Sequence, residues 1–379
     1  MLQSERPALA RRLLDYIDTQ STAMAADLYR QPVHEYTSAS IAAREQEALF
    51  RDLPLCLGLS GLLPTAGSYF THDHLGIPLL LTRDDDGEVH ALLNVCRHRG
   101  ARLVDGCGEA RMLRCPYHAW AYAHDGRLAA RPADEAFEGM PRATHGLRRL
   151  AVEERDGLLW IMPRLGAPLA LERHLGAVGE QIASFGLAGF HHFATRVLAR
   201  RMNWKLALDT FLESYHFCVL HRNSICNTFY DNLGTFDTWG RHFRLVSPRK
   251  TLAEARDTGA PGWSLLPHVV GIYVLFPNTV LVWQLDHLEL FHIYPGPTPD
   301  ESITTISVYI PEPPRSESAR AHWQRNFDIV VGVVEREDFP VGEGIQRSFH
   351  SGAQEHIVFG RNEPALGYFH RAVSDALAG

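Results

Sequence analysis

Two short stretches, CRHRG at residues 96–100 and CPYHAW at residues 115–120, each combine one cysteine with one histidine. The spacing is Cys96-x-His98, sixteen intervening residues, then Cys115-x-x-His118. Taken singly each residue has a bland reading, since buried cysteines and loop histidines are common. Together, two thiolates and two imidazoles fit a tetrahedral structural zinc, or a two-iron cluster with both sulfurs on one iron and both nitrogens on the other. Zinc-finger ligand pairs usually set two cysteines close together, whereas here each loop supplies one sulfur and one nitrogen. That is what a cluster straddled by two loops demands, so the diiron centre is preferred over zinc. Cys107 lies between the loops and reads as a bystander thiol.

A second constellation is LESYHFCVLH, where Glu213 precedes His216 by three residues and His221 follows it by five. On an ideal helix five residues leave the two rings roughly 140° apart. Both can face one ion only if the helix is distorted or ends between them, and π-type irregularities gather at functional sites. Two imidazoles and one carboxylate leave half an octahedron open on Fe(II), enough for oxygen and a substrate together. EREDFPVGEGIQ offers Glu335, Glu337, Asp338 and Glu343 as the carboxylate, and composition does not choose among them.

Hairpins and helices must position these groups. IPLLLTRDDDGEVHALLNV is two apolar runs around Asp86-Gly87, AWAYAHDGRLAA repeats the arrangement around Asp125-Gly126, and GLLWIMP reads as a closing strand. A small β-rich unit is therefore expected at 50–165, ending at PRLGAP. Upstream, Leu9, Leu13, Leu14 and Ile17 recur at helical spacing, and a second helix is expected after Ser40. Downstream, residues 202–221 have helical composition, GIYVLFPNTVLVWQL, ELFHIYPG and ITTISVYIPEP read as strands, and 319–338 is again helical. Long antiparallel strands with a few helices predict an α+β domain.

At 379 residues the chain is long enough for two domains. Its formal charge of −7 argues against a nucleic-acid surface. No apolar run has the length or continuity of a membrane span or secretory signal, so a cytoplasmic protein with no membrane association is expected. Cys56, Cys96, Cys107, Cys115, Cys218 and Cys226 then read as thiols or metal ligands rather than a disulfide framework. No G-x-G-x-x-G follows a strand and no P-loop is present, so electrons must be delivered by a partner. His287-x-Glu289 resembles the start of another kind of iron site, but polar residues on a strand face more often meet solvent or line a pocket. His191-His192 and the His350…His356 pair have no accompanying ligand pattern.

Arg99-Gly100 and Pro116-Tyr117 with Trp120 make the Cys/His loops resemble the Rieske [2Fe–2S] signature, with Ala119 where glycine is commoner. From CRHRG to near the C-terminus the chain resembles the alpha, or terminal oxygenase, subunits of Rieske-type non-haem iron oxygenases. Asn203-Trp204-Lys205 followed by E-x-Y-H-x-x-x-x-H, and E-D-x-x-x-x-E-x-x-Q at 337–346, carry that resemblance. It implies a small all-β Rieske domain at 50–165 and a catalytic domain at 166–379 with an antiparallel sheet flanked by helices, START or helix-grip-like. Residues 1–49 would pack on the catalytic domain. It implies that Cys96, His98, Cys115 and His118 hold the cluster and that His216, His221 and Asp338 bind Fe(II). Glu213 would link His216 to His118 of a neighbouring subunit. Asp209, one turn earlier, would assist proton delivery or lie on the helix surface, and Tyr215 and Phe217 would wall the site or pack in the core. The implied assembly is a homotrimer or stacked hexamer fed by an NAD(P)H-dependent reductase, with or without a ferredoxin. The implied reaction consumes O2 and mono- or dihydroxylates a small aromatic substrate; glutamate at 213 looks more like the branch that demethylates quaternary ammonium compounds. An electron carrier with an appended domain and a zinc-stabilised ligand-binding protein are the rival readings. For an aromatic cage, Trp283, Phe291 and Tyr294 are the strand candidates.

Overall fold

The computed structural model describes residues 1–257 and 264–379. They form two compact units, one of Phe50–His174 with Gly186–His191, the other of Met1–Leu49, Leu175–Phe185 and His192–Gly379. The architecture is mixed α+β with antiparallel sheets, as expected.

In the smaller unit the turn dipeptides sit where the apolar alternation breaks. Asp86-Gly87 joins Leu79–Arg83 to Val89–Leu93, and Asp125-Gly126 joins Ala121–Tyr122 to Leu128–Ala130, both as antiparallel pairs. Leu158–Ile161 pairs with Leu55–Leu59 and closes the unit. Leu80, Leu92, Leu113, Trp120 and Tyr122 pack with Cys96 and Cys115 in one core cluster.

The larger unit opens with helix α1 (Arg6–Thr19), which buries Leu9 and Leu13, and helix α2 (Ala39–Ala48). Ser38 caps α2 by accepting the Ile41 N–H at 3.4 Å, so the second helix starts one residue before Ser40. Seven strands build the main sheet: β1 (His191–Arg200), β2 (Thr235–Trp239), β3 (His242–Pro248), β4 (Val269–Leu275), β5 (Thr279–Trp283), β6 (Leu288–Pro295) and β7 (Ser302–Ile310). Their order is β1-β7-β6-β5-β4-β3-β2, and the consecutive pairs from β2 to β7 are antiparallel. Nearly every residue of β4 to β7 is buried, so both faces of these strands are covered. The remaining elements that concern the site are α3 (Trp204–Asp209), α4 (Phe217–Leu220), α5 (Glu317–Val333), a π-helical stretch at Val334–Asp338, α6 (Phe339–Phe349) and α7 (Pro364–Ala378).

Two expectations are corrected here. Residues 202–221 do not form one helix: α3 stops at Asp209 and α4 spans only Phe217–Leu220. Glu213 is the physical reason, because its carboxylate accepts the backbone N–H groups of Tyr215 and His216, which a continuous helix would give to carbonyls four residues back. The cysteines are not all thiols. Cys218 and Cys226 form a disulfide, since the turns between them bring their Cα atoms to 4.9 Å. Cys56, Cys96, Cys107 and Cys115 are free. Among the described residues no helix is long and apolar enough to cross a membrane.

Candidate metal centres and substrate cavity

The two Cys-His loops are built alike. The Gly100 N–H donates to the Cys96 carbonyl at 2.9 Å and the Ala119 N–H to the Cys115 carbonyl at 3.0 Å. The fourth residue after each cysteine is left-handed, φ +80° at Gly100 and +57° at Ala119. Alanine pays roughly 1 kcal/mol there relative to glycine, which is why glycine is the easier residue at that position. His98 and His118 have ring centroids 4.6 Å apart, and His98 stacks on Trp120 with the planes 8° apart. Their Nδ1 atoms are buried and have no hydrogen-bond partner. Burial foremost, and the adjacent Cys115, push the Cys96 thiol above its ordinary pKa, so cationic charge is needed to keep it ionised. Two orphaned ring nitrogens beside two core thiols are what an iron–sulfur cluster would satisfy, and the residue set fits one.

The second set converges in the larger unit. His216 immediately precedes α4 and His221 immediately follows it, so the short helix ends between them and both rings reach one point. Their Nε2 atoms are 3.1 Å apart. Asp338 Oδ1 lies 3.1 Å from His221 Nε2 and 3.5 Å from His216 Nε2. The helical irregularity expected near the histidines falls on the carboxylate's side, where Asp338 ends the π-helical stretch between α5 and α6. On the far side of each ring a carboxylate accepts the Nδ1–H: Glu213 from His216, and Glu337 Oε2 from His221 at 2.6 Å. With Nδ1 protonated, neutral rings aim two lone pairs and a carboxylate oxygen at one spot, an arrangement that a divalent cation would relieve. These three residues are the metal-competent group found among the described residues.

The charges agree with that reading. Burial opposes a proton on His216, but Asp338 and Glu213 outweigh it and lift its pKa to about 9; His221 is raised in the same sense. Burial alone would raise Asp338, yet bonds from the two imidazoles hold it below the ordinary carboxylate range. A metal ion competes with these protons, so its uptake strengthens as pH rises toward 9.

Of the four carboxylates offered by sequence, Asp338 faces both imidazoles. Glu335 pairs with Arg200 at 2.9 Å, Glu343 accepts the Arg201 N–H at 3.0 Å, and Glu337 orients His221 instead. Asp209 is not on a helix surface: it is buried and accepts from Tyr36 Oη at 2.8 Å and His370 Nε2 at 2.9 Å. The Asn203-Trp204-Lys205 motif anchors rather than ligates. Asn203 caps α3 and donates its N–H to Gln346 Oε1 at 3.0 Å, clasping α3 to α6. Lys205 and Trp204 both bond buried Glu45 of α2.

A cavity of about 380 Å³ opens beside His216, His221 and Asp338. Phe211, Phe217, Phe229 and Phe291 line it, with β4 to β6 on one side and α5 on the other. Tyr215 does not wall it and is 61% exposed. Of the strand aromatics singled out, Phe291 lines the cavity and Trp283 and Tyr294 do not. His287 and Glu289 are buried in its lining rather than turned to solvent, and they stand apart from the metal-competent group. A second cavity of about 370 Å³ shares Glu213, His216 and Asp338 and is rimmed by the exposed side chains of Val341, Ile345 and Val358.

Fold and centres thus define a protein with a Rieske-type domain and a mononuclear metal domain. Residues 54–145 match the Rieske [2Fe-2S] domain, and residues 187–379, just over half of the chain, match the ring hydroxylating alpha subunit (catalytic domain). The chain belongs to the ring hydroxylating alpha subunit family of Rieske oxygenases, whose members carry a [2Fe-2S] cluster and a mononuclear iron. It is 32% identical over 199 residues to the glycine betaine monooxygenase oxygenase subunit of Chromohalobacter salexigens, covering 50% of this chain and 44% of that protein. It is 31% identical over 188 residues to the carnitine monooxygenase oxygenase subunit of Acinetobacter baumannii, covering 49% of this chain and 51% of that protein. The chain spans about half the length of the curated relatives it matches. In fold it is similar to the quaternary ammonium Rieske monooxygenase CntA, with a TM-score of 0.80 at 21% identity over 92% of this chain and 96% of that one.

Proposed function

We propose that this chain is a terminal oxygenase that uses O2 to oxidise a small organic substrate held in the cavity beside His216, His221 and Asp338. The convergence of those three donor atoms on the wall of a phenylalanine-lined cavity carries the reading. When bound, Fe(II) at these residues would supply the oxygen-activating centre, and a [2Fe-2S] cluster on Cys96, His98, Cys115 and His118 the electrons. Glu213 and Glu337 fix the two imidazole rings, and Phe211, Phe217, Phe229 and Phe291 exclude water and position the substrate. Asp209, held by Tyr36 and His370 in the wall of the second cavity, is placed to support proton movement near Glu213.

Of the two substrate readings, oxidative demethylation or monooxygenation of a quaternary ammonium compound is favoured over hydroxylation of an aromatic ring. The relatives named for glycine betaine and carnitine support it, as do the phenylalanine faces that line the cavity, which suit a cation. Electrons would come from an NAD(P)H-dependent reductase, directly or through a ferredoxin. A second copy would bring its Cys-His loops to the second cavity, where Glu213 meets the neighbour's cluster histidine. The exposed apolar rim of that cavity and exposed Tyr117 beside His118 support this assembly.

Anaerobically prepared protein is expected to be reddish-brown and to hold about three irons per chain. Asp338→Ala should lose about one of them without bleaching the visible spectrum, together with substrate-dependent O2 uptake driven by a surrogate reductase. Colourless protein containing only zinc would end the reading, and a variant that keeps its full iron would reject Asp338 as ligand.

A further inference from the structure

The cavity wall opposite the helices is not uniformly apolar. Arg249 follows β3, Gln284 follows β5, and Glu289 lies in β6. Arg249 Nη2 donates to Gln284 Oε1 at 2.7 Å, and Gln284 Nε2 donates to Glu289 Oε1 at 3.2 Å. The amide therefore separates the two charges rather than letting them pair. The guanidinium lies 4.9 Å from the Phe229 ring centroid. Its Nε is buried without a hydrogen-bond partner, and among the described residues no carboxylate forms an ion pair with it. A guanidinium has five donors in a fork matched to carboxylate geometry. Leaving such a half-buried cation without an ionic partner has a cost. Burial pulls its pKa down, and Glu289 and Asp286 oppose that only through space.

We propose that Arg249 is the anion-reading end of the substrate cavity, taking the carboxylate of a substrate whose reacting end lies against His216, His221 and Asp338. The inference rests on the substrate-cavity reading above and narrows it. With a quaternary ammonium group toward the metal-competent residues, the substrate is a zwitterion with a carboxylate, rather than an amino alcohol or a hydrocarbon. Gln284 holds the guanidinium in place and keeps Glu289 from neutralising it.

The test is equilibrium binding to the iron-loaded protein without O2, by titration calorimetry. The probes are 4-(trimethylammonio)butanoate and its methyl ester, and 3-phenylpropanoate and its amide. Wild-type protein should bind the trimethylammonium acid at least about tenfold more tightly than its ester. Arg249→Gln should abolish that preference while changing ester affinity less than about threefold, and Arg249→Lys should keep part of it. If Arg249→Gln fails to fold, judged by circular dichroism and the cluster spectrum, Arg249→Lys decides: a reduced preference supports the inference and an unchanged one overturns it. Equal binding of acid and ester overturns the inference but leaves the quaternary ammonium reading intact. An Arg249-dependent preference shown only by 3-phenylpropanoate supports the inference and removes the ammonium reading. A preference that survives in Arg249→Gln, or failure of both acids to bind, overturns it.

Discussion

His221 is set from both ends of its ring. Nε2 points to Asp338 and His216, while Nδ1 donates to Glu337 Oε2, which also accepts Ser224 Oγ–H at 2.8 Å. A carboxylate on the far nitrogen fixes the tautomer and strengthens the ring as a ligand. Glu337→Gln should therefore weaken iron binding by about tenfold to a hundredfold without changing cluster absorption. Titrating Fe(II) into metal-free variant would show it, and unchanged affinity would mean that the loop alone orients the ring. The role of Glu337 was not legible beforehand. In sequence it was one of four carboxylates within nine residues, and its partner lies 116 residues away. Asp209 reads in sequence as either a proton-delivery residue or a helix-surface carboxylate, and only its enclosure by Tyr36 and His370 removes the second reading.

The loop that carries His221 is stapled at the element scale. Cys218 and Cys226 flank it at a separation of eight residues, and a cross-link over so short a loop is worth about 2.5 kcal/mol in the chain-entropy account. Cys226→Ser should destabilise this segment by about 2 kcal/mol. The expected signs are faster amide exchange across residues 218–226 and easier loss of iron, with the smaller unit unchanged. Exchange equal to wild type would show that packing holds the loop without the staple. The β-hairpins of the smaller unit were legible because a period-two alternation and an Asp-Gly turn are local signals. The break in residues 202–221 was only half legible. The five-residue spacing showed that a regular helix could not serve both histidines, but that Glu213 caps the interruption is visible only in the folded chain.

At the scale of the whole molecule, each centre has an exposed apolar neighbourhood within its own unit. Tyr117 beside His118 is 56% exposed, and Val219 between His216 and His221 is 82% exposed. If the chain assembles as proposed above, a closed ring of identical chains would cover both side chains. Co-assembly of Cys115→Ala chains, expected to lack the cluster, with Asp338→Ala chains, expected to lack the iron, tests this. If clusters serve the neighbour's iron, a random mixture should regain about a quarter of wild-type turnover, whereas electron transfer within one chain predicts none. Substrate-dependent O2 uptake by the mixed assembly, against each variant alone, is the measurement.

The sequence by itself determined the chemistry of both centres and the broad architecture. A metal site needs particular donor types at short range, and Cys-x-His, Cys-x-x-His and His-x-x-x-x-His write those types into adjacent residues. Composition offered four carboxylates and the resemblance pointed to Asp338; tertiary structure brought Asp338 to both imidazoles and decided which groups orient the rings and what lines the cavity. α6, which follows Asp338, is clasped to α3 through Gln346 and Asn203, a contact across 143 residues. Such a juxtaposition depends on how covered strands and helices pack, and no local pattern of residue types encodes it.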